Sequence, residues 1–253
     1  MELQSLPAGV DSPALELSAA LARYREGESR KTIFRDLVRG SIRKCADGPS
    51  VLDIGCGHGF DGDADLQRSI ADEAARFIGI EPDPDIVAPD YFTEVHHSTF
   101  EDAALQPGSV DVAYSAFVLE HVERPLFFWR KLSECLAPGG VFWGFTVDAR
   151  HLFSLASLMA GKLRLKDRYL DWLRGRRGTE RYENYKTFYR CNSPGQVKHH
   201  TRMFRRADFL SLHRVGQLNY YFPRMLWPPL HWAERLAMRL RLPGSVLVVR
   251  LEK

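Results

Sequence analysis

The 253-residue sequence predicts an α/β fold: a doubly wound, seven-stranded, mostly parallel sheet with N-terminal helices and an inserted helical cap. Three observations predict it. Short apolar runs alternate with helix-length stretches between residues 50 and 147, which is the rhythm of βαβ units. The first run passes straight into a glycine-rich turn, Gly55-Cys56-Gly57-His58-Gly59. Two further apolar runs near the end bring the strand count to seven.

Taken in order, Asp11-Ser12-Pro13 predicts a helix start, a capping side chain followed by proline in the first turn. Helical pattern then runs, with a break near Gly27, to about Cys45. Strands are predicted at 50–54, 76–80, 92–97, 110–114, 141–147, 215–222 and 245–251. A helix at about 61–75 follows the glycine turn and offers it free N–H groups. A helix rich in aromatics covers 125–136 and stops at Pro138-Gly139-Gly140. Residues 149 to about 205 carry helical fragments, many Arg and Tyr, and no clear strand. The expected division is a helical cover at 1–48, an α/β core at 49–148 that carries the ligand turn, an inserted cap at 149–213, and the final strands with an aromatic-basic connection at 214–253.

Composition excludes several classes. With 45% hydrophobic and 26% charged residues, the chain is neither disordered, collagen-like nor a coiled coil. No apolar run reaches the roughly 18 residues of a membrane span. The start, Met-Glu-Leu-Gln-Ser, lacks the basic flank and apolar core of a secretory signal. Four cysteines without a CxxC pair argue against a zinc site or disulfide framework, and a cytoplasmic location is expected. The net charge of +3 hides a split: residues 1–149 carry −12 and residues 150–253 carry +15. Either the C-terminal part meets something anionic or the two parts neutralise each other inside the fold.

The chemistry centres on the glycine turn. Its spacing is G-x-G-x-G, not the G-x-G-x-x-G of dinucleotide binders, and Asp53 precedes it on the strand. A pyrophosphate has less use for that acid than a ligand with an ammonium or sulfonium group. Glu81 follows Gly59 by 22 positions, at the end of the second strand, where a carboxylate can accept both hydroxyls of a ribose. Glu101 and Asp102 follow the third strand, within reach of an adenine amino group. Each acid alone reads as a solvated charge; at successive strand ends they converge on one crevice.

Val-Leu-Asp-Ile-Gly-Cys-Gly at 51–57, Gly-Ile-Glu-Pro-Asp at 79–83, Phe-Glu-Asp at 100–102, Val-Leu-Glu-His-Val at 118–122 and Leu-Ala-Pro-Gly-Gly at 136–140 resemble, in order and spacing, the motif series of class I S-adenosylmethionine-dependent methyltransferases. The resemblance covers about 50–147 and implies the Rossmann-like methyltransferase fold, usually with an antiparallel seventh strand. It implies S-adenosylmethionine as cofactor and S-adenosylhomocysteine as product. The residues it implies at the cofactor are Asp53, Gly55, Cys56, Gly57, Gly59, Glu81, Pro82, Glu101, Asp102 and Ser115. Gly55, Gly57 and Gly59 would line the methionine part, Asp53 support the turn, Glu81 hold the ribose, Asp102 ahead of Glu101 the adenine amine, and Ser115 the backbone near the methionine. The reaction implied is in-line displacement at the methyl group, which needs mainly alignment and exclusion of water. The expected acceptor is small or medium-sized and anionic (a sugar, a lipid-linked compound or a secondary metabolite), methylated at oxygen.

His121 is a candidate general base, since its pKa lies near working pH, or else part of a structural Glu120-His121 pair. His151 is a second candidate, or a hydrogen-bonded histidine at the start of a helix. Some relatives bind a divalent metal through Glu-x-x-Glu-His; Phe117 stands at the first position here, and no metal is expected. His199 and His200 are adjacent and point apart. Glu120, Tyr182, Tyr185, Tyr189 and Arg190 are candidates for the acceptor pocket, with an aromatic mini-core as the alternative for the cap residues. The segment 220–232 mixes aromatics, prolines and arginine, which suits a lid or a dimer contact and also a peripheral membrane contact. Two rival functions are a non-catalytic S-adenosylmethionine-binding protein and a nucleic-acid methyltransferase. The nucleic-acid signal is weak: no Asn/Asp-Pro-Pro-Tyr motif occurs.

Overall fold

The computed structural model describes residues 12–45, 48–151 and 186–253. The elements run α1 (Pro13–Arg25), α2 (Arg30–Ile42), β1 (Ser50–Ile54), α3 (Ala64–Ala71), β2 (Arg76–Ile80), β3 (Glu94–His96), β4 (Val110–Ala116), α4 (Pro125–Cys135), β5 (Leu136–Val147), α5 (Pro194–His200), β6 (Arg206–Leu212), α6 (Trp227–Arg239) and β7 (Val246–Glu252). The seven strands form one sheet in the order β3-β2-β1-β4-β5-β7-β6. β7 runs antiparallel to both neighbours and the other pairings are parallel. The sheet and its one reversed strand are as the resemblance implies.

Alternation along each strand sends side chains to opposite faces. On one face Leu52, Ile54, Ile78, Ala113 and Phe142 meet Phe128, Trp129 and Leu132 of α4 and Val197 of α5. On the other, Val51, Phe77, Val112, Trp143 and Phe145 meet Leu17 of α1, Ile33, Phe34 and Leu37 of α2 and Ile70 of α3. The Phe34 ring stacks on Phe145 at 4.0 Å, and Trp143 Nε1 donates to Ser41 Oγ at 2.9 Å, so α2 is keyed to β5 by an aromatic and a polar contact. The N-terminal helices α1 and α2 thus form one layer of the core.

Three expectations need correction. Ser12 stands at the N-cap of α1, but its side chain makes no capping hydrogen bond. The glycine turn does not open directly into a helix: α3 begins at Ala64, and the Asp63 carboxylate caps it by accepting from Leu66 N. The sixth strand is β6 at Arg206–Leu212, inside the stretch read as cap, not 215–222. Arg206 and Asp208 on this edge strand pair with each other at 2.7 Å, and such polar alternation hides a strand whose other residues pack inward. In the 215–222 stretch, Gly216 takes φ +85° and the buried Glu234 carboxylate accepts from Gly216 N and Leu218 N, folding it into a turn.

Because Phe34 is fully buried between α2 and β5, Phe34→Ala is expected to cost about 3–5 kcal/mol of stability, read as a lower urea midpoint.

Candidate functional site

The strand order reverses direction between β1 and β4, and the loops after the two strands part to opposite faces, which is where sheets of this kind form a ligand crevice. Register places Ser115 of β4 beside Ile54 of β1, the residue before the glycine turn. Gly55, Glu81, Ser115 and the 117–121 segment therefore gather at one end of the sheet.

Two glycines are required by what surrounds them. Gly55 takes φ +86°, and a Cβ there would meet Val118 Cγ2 at 2.4 Å. A Cβ on Gly57 would lie 2.5 Å from Glu81 Oε2. That closeness has a purpose: Gly57 N donates to Glu81 Oε2 at 3.0 Å, and Asp83 N donates to Oε1 at 3.0 Å. The carboxylate is thereby aimed along the turn. Pro82, next to it, is exposed. Cys56 is fully buried and burial pushes its thiol pKa up, so it packs rather than reacts.

Beneath the turn lies a buried polar network that sequence reasoning only half anticipated. Asp53 Oδ2 accepts from Tyr114 OH at 2.6 Å and from Gln67 Nε2 at 2.7 Å. Gln67 Nε2 also reaches the Cys56 carbonyl at 2.9 Å, and Gln67 Oε1 accepts from Tyr91 OH at 2.6 Å. Asp53 thus supports the turn through Gln67. Spacing gives no hint of Gln67 or Tyr91; Tyr114 could have been found, because the β1–β4 register sets it level with Asp53.

The crevice wall carries Ser115, fully buried, whose hydroxyl has no hydrogen-bond partner among the described residues. An orphaned buried hydroxyl beside a turn that only glycine can line is what a polar ligand would complete. The residues present therefore fit the amino-acid end of S-adenosylmethionine. Glu101 and Asp102 lie further out. Asp102 is exposed and accepts from Thr99 Oγ1 at 2.7 Å, and both acids border a shallow hollow of about 200 Å³ with Arg124, Phe127, Arg130, Lys131 and Glu134.

Past β4 the chain is strained: Phe117 takes φ +58°, unusual for an aromatic residue. Arg30 of α2 lies 4.5 Å over its ring and makes a two-point ion pair with Asp61, at 2.8 and 3.0 Å. One side chain from the first layer thus bridges the loops after β1 and β4. No local sequence signal marks Arg30.

Glu120 turns inward. Its carboxylate accepts from Thr146 Oγ1 at 2.7 Å, Thr146 accepts from Asn192 Nδ2 at 2.7 Å, and its backbone carbonyl takes the N–H groups of Phe188 and Tyr189. Burial raises its pKa. Glu120 so ties the returning chain to β5 and holds the Tyr189 backbone, at φ +53°, against the site. Arg190 donates to the Glu123 carbonyl and lies over Phe188. Tyr182 and Tyr185 lie outside the described residues. His121 Nδ1 lies 3.0 Å from the Lys186 carbonyl. His151 is buried, its pKa is lowered by that burial, and its Nδ1 has no partner among the described residues.

Burial also raises the Asp53 pKa, to about 7. An unfolded aspartate releases its proton near pH ~4. Between those values the folded chain binds more protons than the unfolded one, so stability is greatest at the acid end and falls as pH rises towards 7. Asp53→Asn keeps an acceptor for Tyr114 and Gln67 but cannot ionise. Its melting temperature is expected to fall less than the parent's between about pH 5 and pH 8; parallel curves would contradict the assignment.

The sequence matches the family described as a methyltransferase domain over residues 22–212. It is 34% identical over 113 residues to an uncharacterized methyltransferase of Mycobacterium avium, covering 42% of each chain. It is 31% identical over 117 residues to a ubiquinone biosynthesis O-methyltransferase of Xanthomonas campestris, covering 43% of this chain and 47% of the relative. The chain thus spans less than half the length of these curated relatives. Among solved structures it superposes on an S-adenosylmethionine-dependent methyltransferase from Archaeoglobus fulgidus with TM-score 0.54 and 13% identity, covering 93% of this chain and 99% of that one. A geranyl diphosphate C-methyltransferase from Streptomyces coelicolor gives TM-score 0.53 and 12% identity, covering 93% and 86%. These two likenesses show the fold alone. The family match takes in well over half of the 253 residues, and the chain belongs to the class I S-adenosylmethionine-dependent methyltransferases.

Proposed function

We propose that the protein transfers the methyl group of S-adenosylmethionine to an oxygen of a small or medium-sized, anionic acceptor. The observation that carries this reading is the glycine turn at the tip of β1, with the Glu81 carboxylate fixed along it and the orphaned Ser115 hydroxyl beside it. When bound, the cofactor supplies a methyl group made electrophilic by the sulfonium.

The chain's own residues then have three tasks. Gly55, Gly57, Glu81 and Ser115 orient the donor. Arg30, paired with Asp61 and stacked on Phe117, holds the loops after β1 and β4 in place beside the donor. His121 removes the proton when the acceptor arrives as a hydroxyl. Its Nδ1 lies 3.0 Å from the Lys186 carbonyl, a contact that orients the ring. The Xanthomonas relative is named an O-methyltransferase, which supports the oxygen assignment.

Calorimetry with S-adenosylhomocysteine is expected to give one site on the parent chain and none on Gly57→Val, whose side chain would collide with Glu81. Labelled S-adenosylmethionine offered with pooled cell extract then identifies the acceptor. With that acceptor, His121→Asn is expected to lower kcat by about 10²–10⁴-fold, with cofactor affinity unchanged. An unaltered kcat would remove His121 from the mechanism.

A further inference from the structure

We infer that the outward face of α6, with the arginine-lined cleft beside it, docks the protein on an anionic membrane surface. β6 runs parallel to β5, so its connection to β7 leaves the sheet at the same end as the glycine turn. That connection carries α6, which is fastened by its inner edge. Glu234 is buried and accepts from Gly216 N and Leu218 N, and His231 lies 2.8 Å from Asn219 Oδ1.

Helical spacing then turns Trp232, Leu236 and Leu240 outward as one stripe (i, i+4, i+8). They are 65%, 40% and 62% exposed, and Met225 in the preceding turn is 82% exposed. Six of the eleven strongly exposed large apolar side chains among the described residues fall between 225 and 242. An apolar patch so concentrated marks a contact surface rather than ordinary solvent-facing scatter.

The charge beside it is one-signed. Arg235 and Arg239 line, with Arg25, Val215 and Met238, a cleft of about 340 Å³. Between 213 and 244 there are five arginines and one acid, and that acid is the inward-facing Glu234. No carboxylate of this segment faces out with the stripe. A second copy related by two-fold symmetry would set like charges against each other. A nucleic acid would use the arginines but leave Leu236, Leu240 and Met225 in water. An anionic bilayer satisfies both: phosphates at the cleft, and Trp232 with the leucines at the headgroup–acyl boundary. No helix among the described residues is long and apolar enough to cross a membrane, so the contact would lie on the surface.

The test is co-sedimentation of the full chain with vesicles of phosphatidylcholine alone and of equal parts phosphatidylglycerol and phosphatidylcholine, at low and physiological salt. The parent chain is expected to bind the anionic vesicles about tenfold better or more, less so at higher salt. Arg235→Glu/Arg239→Glu and Trp232→Ser/Leu236→Ser, both on the solvent face, are each expected to lose about tenfold or more while keeping the parent urea midpoint. Equal binding to the two vesicle types overturns the inference. So does absence of binding, parental binding by both variants, or a dimer that the variants dissociate while vesicles are ignored. The readout involves no methyl transfer, so it stands or falls separately from the proposed reaction.

Discussion

A single buried carboxylate organises the functional end of this molecule. Asp53 collects Tyr114 from β4 and Gln67 from α3 on one oxygen, and Gln67 relays the contact to the Cys56 carbonyl and to Tyr91 before β3. Removing such a group from water is costly, and it persists because each donor is supplied by a different rigid element. The reward is geometric. A turn that holds Gly55 at positive φ is fixed from below by these side chains.

Around that base the tips of the strands show two kinds of strain and closure. Phe117 is held in the left-handed region because Phe117 N donates to the Phe145 carbonyl at 2.7 Å and Arg30 covers its ring. The cost is of the order of 1–3 kcal/mol, met by the packed layers beneath. Glu120 performs the complementary task on the β5 side, where its carboxylate, Thr146 and Asn192 bind the returning chain to the sheet. The charge split between the two parts of the chain is partly internal, since Arg150 meets Asp148. It is also partly directed outward, since Arg235 and Arg239 face solvent.

Local signals made most of the core legible. β1 and β2 fall at 50–54 and 76–80 because short apolar runs end there in residues no strand interior wants. The glycines and Glu81 are legible because their role depends on a few neighbours in the chain. Failures have a common cause, which is dependence on distant partners. β6 looks polar until β7 pairs with it, and 215–222 looks like a strand until Glu234, 18 positions beyond Gly216, turns it. Nothing in the neighbouring sequence marks Gln67 or Arg30. Only the register of β1 with β4 and the packing of α2 give them their work.

The most direct test of the central claim is amide hydrogen exchange, followed peptide by peptide, with S-adenosylhomocysteine and in parallel with NADH. The account predicts that S-adenosylhomocysteine slows exchange at 53–60, 79–83 and 114–118, while NADH leaves those peptides unchanged. Slowing by NADH there, or no change with S-adenosylhomocysteine, would contradict it.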